Sequence, residues 1–204
     1  MNEQLANIRQ SSDNLITLQQ KLLRVLFVLI FGAVLGFLAK YIDGSVVGQI
    51  GSELGFWIFV ATTVGAWSRS PRAAALHVFV FFVSMLCVYY IYEMNLFGFF
   101  PTRSFLAWGC LAICSPIGGY VVWFSRGKGW IAALCTSIPI SLLLAEGYSF
   151  IYFFSIPRGF DLFLAVLLFV FLPKRGLQHI RILPIVVVLF LVISHFHLID
   201  RSYF

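Results

Sequence analysis

Two glutamates stand alone within long apolar stretches. Glu93 comes about twenty residues after the start of its stretch, and Glu146 about sixteen residues after Trp130. A carboxylate beside hydrocarbon is costly to desolvate, and such groups mark substrate or proton sites by default. Tyr89 stands four residues before Glu93 and shares its helical face, and Tyr92 precedes Glu93 directly. Ser149 and Tyr152 continue the face of Glu146. Carboxylates among tyrosines would neutralise a small cationic organic molecule and pack rings on it. The expected ligand-binding set is therefore Glu93, Glu146, Tyr89, Tyr92 and Tyr152. Interfacial anchoring is the competing reading. Aromatic belts form at membrane edges regardless, and a Glu there can reach water or pair with Arg.

Other chemistry is sparse. His195 and His197 are two apart and diverge by about 200° on a helix, so they do not share a metal easily. His77, near the inner start of its stretch, reads as structural. Cys87, Cys110, Cys114 and Cys135 all fall in apolar stretches without a Cys-x-x-Cys pair, and read as small buried apolar side chains. Nucleophile-elbow, zinc-protease and phosphate-loop motifs are absent. The expectation is no enzyme, no metal and no cofactor.

The elements that must position these residues are membrane helices. The chain has 204 residues, 61% apolar and only 11% charged, against roughly 25% charged in a soluble domain. That composition excludes a soluble enzyme, a disordered chain and a disulfide scaffold. It predicts an all-α polytopic membrane helix bundle with the lipid bilayer as its partner. Seven apolar segments stand out, at 22–39, 54–67, 73–97, 104–124, 130–148, 157–172 and 182–199. The second covers only about 21 Å and the sixth about 24 Å. Extension of the second back through Val46 brings Gln49 and Glu53 onto one face. Six spans is the alternative count, with the sixth segment re-entrant. The layout is an amphipathic segment over 1–21, the bundle over 22–199 and a tail over 200–204.

Net charge is +6, from 14 Lys and Arg against 8 Asp and Glu. In a membrane protein this reflects orientation rather than nucleic acid. With the N-terminus inside, Arg9, Lys21, Arg24, Arg69, Arg72, Arg126, Lys128, Lys174, Arg175 and Arg181 fall on inner segments. Only Lys40, Arg103, Arg158 and Arg201 fall outside. The chain is thus expected in the cell membrane, multi-pass, with a cytoplasmic N-terminus and an outer C-terminus. Lys40, Asp43, Arg103, Arg158, Asp161, His195 and His197 then lie at outer ends.

Gly32 and Gly36 form a Gly-x-x-x-Gly face that admits a close helix, within the chain or from another chain. Pro116 and Pro139 interrupt two spans. A weak parallel repeat of about 55 residues relates Trp67-Ser68-Arg69 with Glu93 to Phe124-Ser125-Arg126 with Glu146.

Trp67-Ser68-Arg69-Ser70-Pro71, Gly98-Phe99-Phe100-Pro101, Ser115-Pro116 and Gly127-Lys128-Gly129 give the chain a family likeness. It resembles small multi-pass bacterial membrane proteins of unknown function, a likeness that implies no activity. In size and apolar character it is also similar to substrate-binding subunits of energy-coupling-factor vitamin transporters, which typically have six helices. The functional expectation is binding or transport of a small molecule from the outer side, with a partner supplying energy. The alternative is an accessory or assembly protein that docks another membrane protein through Gly32 and Gly36 or through the surface helix.

Overall fold

The computed structural model describes residues 8–11, 17–174 and 176–196, without the side chains of Val46, Val47 and Ser52. From Leu18 onward the described α-helices are α1 Leu18–Tyr41, α2 Val46–Ser52, α3 Leu54–Ala66 and α4 Pro71–Phe97. They continue as α5 Thr102–Trp123, α6 Gly129–Gly147, α7 Ile156–Phe171 and α8 Gly176–His195. Short 3-10 turns, Phe124–Arg126 and Tyr148–Ile151, extend α5 and α6. No strand occurs among the described residues. The fold is an all-α bundle of membrane type.

Five of the helices, α1, α4, α5, α6 and α8, are long and apolar enough to cross a bilayer. The two weak segments of the sequence remain short. Helix α3 has 13 residues and α7 has 16. The second segment does extend back to Val46, but not as one helix. Glu53 adopts an extended backbone, φ −79° and ψ 144°, and separates α2 from α3. Gln49 and Glu53 therefore do not share one continuous helical face.

Local chemistry fixes the helix ends. Thr17 and Gln20 make a capping box at the start of α1. Ser70 Oγ accepts from Ala73 N at 3.1 Å, with Pro71 opening α4, where its missing N–H loses nothing. Gly98, at φ +71°, ends α4 in the left-handed conformation that glycine adopts without strain.

Small residues set the packing, as expected where lipid removes the hydrophobic drive between helices. A Cβ added at Gly32 would lie 2.6 Å from Phe81 O, and one at Gly36 2.3 Å from Met85 O. The Gly-x-x-x-Gly face is thus filled by α4 of the same chain. Ser137 and Ser141 on α6 donate to Ile182 O and Val186 O of α8 at 3.4 and 3.3 Å. Helix α3 lies in the centre and contacts α4, α5, α6 and α7. Its Phe56 and Phe59 touch both the core around Trp57, Phe81 and Met85 and the core around Leu143, Leu164 and Ile182. Apolar side chains such as Phe27, Ile113, Ile117, Phe163 and Leu191 are exposed around the perimeter. So large an apolar surface suits lipid rather than water.

Of the segment before α1, Ile8 and Arg9 pack against the bundle. Ile8 is buried with Ala74, Trp123, Phe124 and Ala132, and its carbonyl accepts from Lys128 N at 3.1 Å. Arg9 stacks on Trp123 at 4.3 Å and donates to Ala66 O at 2.9 Å, Ser68 O at 3.2 Å and Trp123 O. Ala66 and Trp123 end α3 and α5. A helix C-terminus leaves carbonyls unsatisfied and carries partial negative charge, so one guanidinium caps two helices. Burial, with Arg126 nearby, lowers the pKa of Arg9 to about 10, so it stays cationic at neutral pH. Leu5 and Leu15, part of the expected amphipathic pattern, lie outside the described residues. Leu18 and Leu22 belong to α1, which begins four residues before the expected span.

Candidate functional site

The carboxylates of the described residues, Asp43, Glu53, Glu93, Glu146 and Asp161, all lie at one end of the bundle. That end is formed by the C-termini of α1, α4 and α6 and the start of α7. It holds two separate charged centres, one on each side of the broken segment α2–α3.

The first centre is an ion pair. Lys40 follows Gly36 by four residues, so it faces α4 along the same stripe. Its Nζ lies 2.9 Å from Glu93 Oε1 and 2.9 Å from Asp43 Oδ2. Tyr89 and Phe97 place their rings 5.2 and 5.1 Å from the same ammonium. Lys40 is 6% exposed and Glu93 15%. Glu93 is therefore already neutralised inside the protein. Tyr92 packs on Phe37 at 4.9 Å. Beside Tyr89, a cavity of about 40 Å³ touches Gly51, Trp57, Met85, Tyr90 and Trp108. That is room for water, not for an organic molecule.

The second centre lies where backbone is irregular. Glu146, one residue from the end of α6, is 4% exposed. Asp161, in the second turn of α7, is 1% exposed. A Cβ at Gly55 would fall 2.1 Å from Asp161 Oδ1. Gly55 is the second residue of α3, and Glu53 makes no side-chain cap bond there. The Asp161 carboxylate thus sits against a helix N-terminus, whose unsatisfied N–H groups and dipole favour an anion. Gly147 brings α6 equally close to α7, since its Cβ would lie 2.9 Å from Arg158 O and 2.8 Å from Leu162 Cγ. Arg158 Nε is buried without a hydrogen-bond partner among the described residues. Two carboxylates are thus buried where α7 closely meets its neighbours, Asp161 against the start of α3 and Glu146 next to Gly147 at the α6–α7 contact.

The structure therefore splits the expected site. Glu93, Tyr89 and Tyr92 lie at the α1–α4 contact. Glu146 lies next to Gly147, where α6 meets α7. Tyr152 is 74% exposed beyond the end of α6 and lines neither centre. Sequence reasoning placed Lys40, Arg158 and Asp161 at this end without assigning them to a site. Their signals were present. Lys40 continues the Gly32 and Gly36 stripe, and Asp161 lies on the buried stripe of Pro157, Leu164, Ala165 and Leu168.

The remaining residues fall elsewhere. His195 is exposed and packs against Phe196 at 5.1 Å, while His197 lies outside the described residues. His77 Nδ1 meets Ser68 Oγ at 2.9 Å, in keeping with a structural role. Of the cysteines only Cys135 is buried. Cys87, Cys110 and Cys114 are exposed on the apolar perimeter, contrary to their expected burial, because lipid accepts a thiol that a soluble protein would hide.

Residues 16–202 match a family of unknown function, DUF6518. The chain belongs to that family. The match spans every helix from α1 to α8, so both charged centres lie inside the family's own fold. No curated protein and no solved structure matches the chain.

Proposed function

We propose that this family member binds or transports a small organic molecule carrying a cationic group, taken from the outer side of the cell membrane. The observation that carries the reading is the burial of Glu146 and Asp161 at a discontinuous helix. Buried carboxylates are costly in a bilayer, and non-helical backbone at that depth is tolerated where it lines a protein cavity or site. Half-helices that point their ends at charged groups are a recurring way to build a membrane binding site. Glu146 and Asp161 would accept the cationic group or a coupling proton, and Arg158 would offer its unfilled donor to an acceptor on the same molecule. Glu146 and Asp161 are both buried, so uptake would require α2 or the stretch between α6 and α7 to move. Energy would come from a partner, as the similarity in size to energy-coupling-factor subunits suggests.

Gly32 and Gly36 are used up by α4, so an assembly role would have to use another face, such as the expected N-terminal surface helix. The reading is tested by native mass spectrometry of the protein extracted gently from its own membrane. Wild type is expected to retain a small molecule that Glu146→Gln and Asp161→Asn lose while staying monodisperse. A wild-type protein without such a mass, or variants that keep it, would overturn the reading.

A further inference from the structure

The opposite end of the bundle carries a groove of different chemistry. Between the first turns of α1, the end of α3 and the start of α4 runs an open cavity of about 730 Å³. Its walls are mostly apolar: Leu23, Leu26, Phe27, Ile30 and Val64. A second lobe of about 190 Å³ adjoins it, and Arg24, Arg69 and His77 line both. Lys21 and Arg72 complete the second lobe. Four cations thus ring the mouth of an apolar groove, and no acidic residue lines either lobe.

We infer that this groove holds an anionic phospholipid of the inner leaflet, with its phosphate among Lys21, Arg24, Arg69 and Arg72 and an acyl chain along the α1 wall. Three observations support a lipid over other occupants. The acids of the described residues lie at the other end of the bundle, so nothing described there competes for these cations. Arg24 stands about 9 Å into α1 from Leu18, a depth at which an arginine extends to the headgroup level. The floor is apolar, which gives a tail a site and gives free phosphate none. Basic pockets between helices on the cytoplasmic side are suited to anionic headgroups.

The test titrates the detergent-solubilised protein with phosphatidylglycerol or phosphatidylcholine and counts bound lipids by native mass spectrometry. Wild type should prefer phosphatidylglycerol. The double variant Arg24→Gln/Arg69→Gln should lose that preference by about 30-fold, at roughly fivefold per cation. Lys128→Gln/Arg181→Gln, which removes two cations of the same end outside the groove, should keep it. Excess inorganic phosphate should leave the bound lipid in place. Equal binding of the two lipids, an unchanged double variant, an equal loss in the control or displacement by phosphate would each overturn the inference. Should the double variant aggregate, Arg24→Gln and Arg72→Gln, both on exposed side chains, carry the same comparison with a loss of about fivefold each.

Discussion

Lys40 and Glu93 hold each other at a depth where a single charge would be expensive. Removing one partner of such a pair leaves the other uncompensated, at a cost of about 3–5 kcal/mol, whereas replacing both with apolar groups can be neutral. Lys40→Met and Glu93→Leu are therefore each expected to lower the melting temperature in detergent markedly. The double variant Lys40→Met/Glu93→Leu should recover most of the loss. A double variant as unstable as the sum of its singles would show that the two residues act independently. Glu93 and Glu146 were visible in the sequence because each interrupts a long apolar stretch. That Glu93 is neutralised was not visible, because its partner lies 53 residues away on another helix. Their equivalence in the apparent repeat did not reveal their different surroundings either. One meets a lysine and the other a break in the backbone.

At the level of helices, close approach decides what substitution is tolerated. Gly36→Ala would drive a methyl group into Met85 O, so α1 and α4 must separate. The expected loss is about 1–3 kcal/mol. Gly118→Ala, with nothing within 4 Å, should stay within about 0.5 kcal/mol of wild type. Thermal unfolding of both variants in one detergent checks the contrast, and equal losses would contradict the α1–α4 packing. The long helices were legible because length and apolar content suffice to define a span. The break at Glu53 was not. Gly48, Gly51 and Ser52 weaken helix propensity there, but propensity does not say where a helix yields. The Asp161 carboxylate arrives from α7, more than a hundred residues on, and rests against the first turn of α3. Nor did the sequence alone show Ile8 and Arg9 packing against the bundle.

For the whole molecule, charge is sorted by end. Described acids gather at one end, while Arg9, Lys21, Arg24, Arg69, Arg72, Arg126, Lys128 and Lys174 gather at the other. If the basic end faces the cytoplasm, an impermeant maleimide should label Thr102→Cys in intact cells and Lys128→Cys only after lysis, in a background without the native cysteines. Both positions are exposed at turns, on opposite ends. The reverse pattern would invert the orientation and place the proposed solute site inside the cell.

The double cap made by Arg9 has a consequence for biogenesis. Its acceptors lie 57 and 114 residues further along the chain. A ribosome adding about 5–20 residues per second needs about 6–23 s to make the later one. Ala66 is made about halfway through that interval and Trp123 only at its end. Docking of Arg9 on both helix ends is therefore a late event that follows synthesis of α5. It gives the growing chain a latch that closes only once α3 and α5 stand side by side.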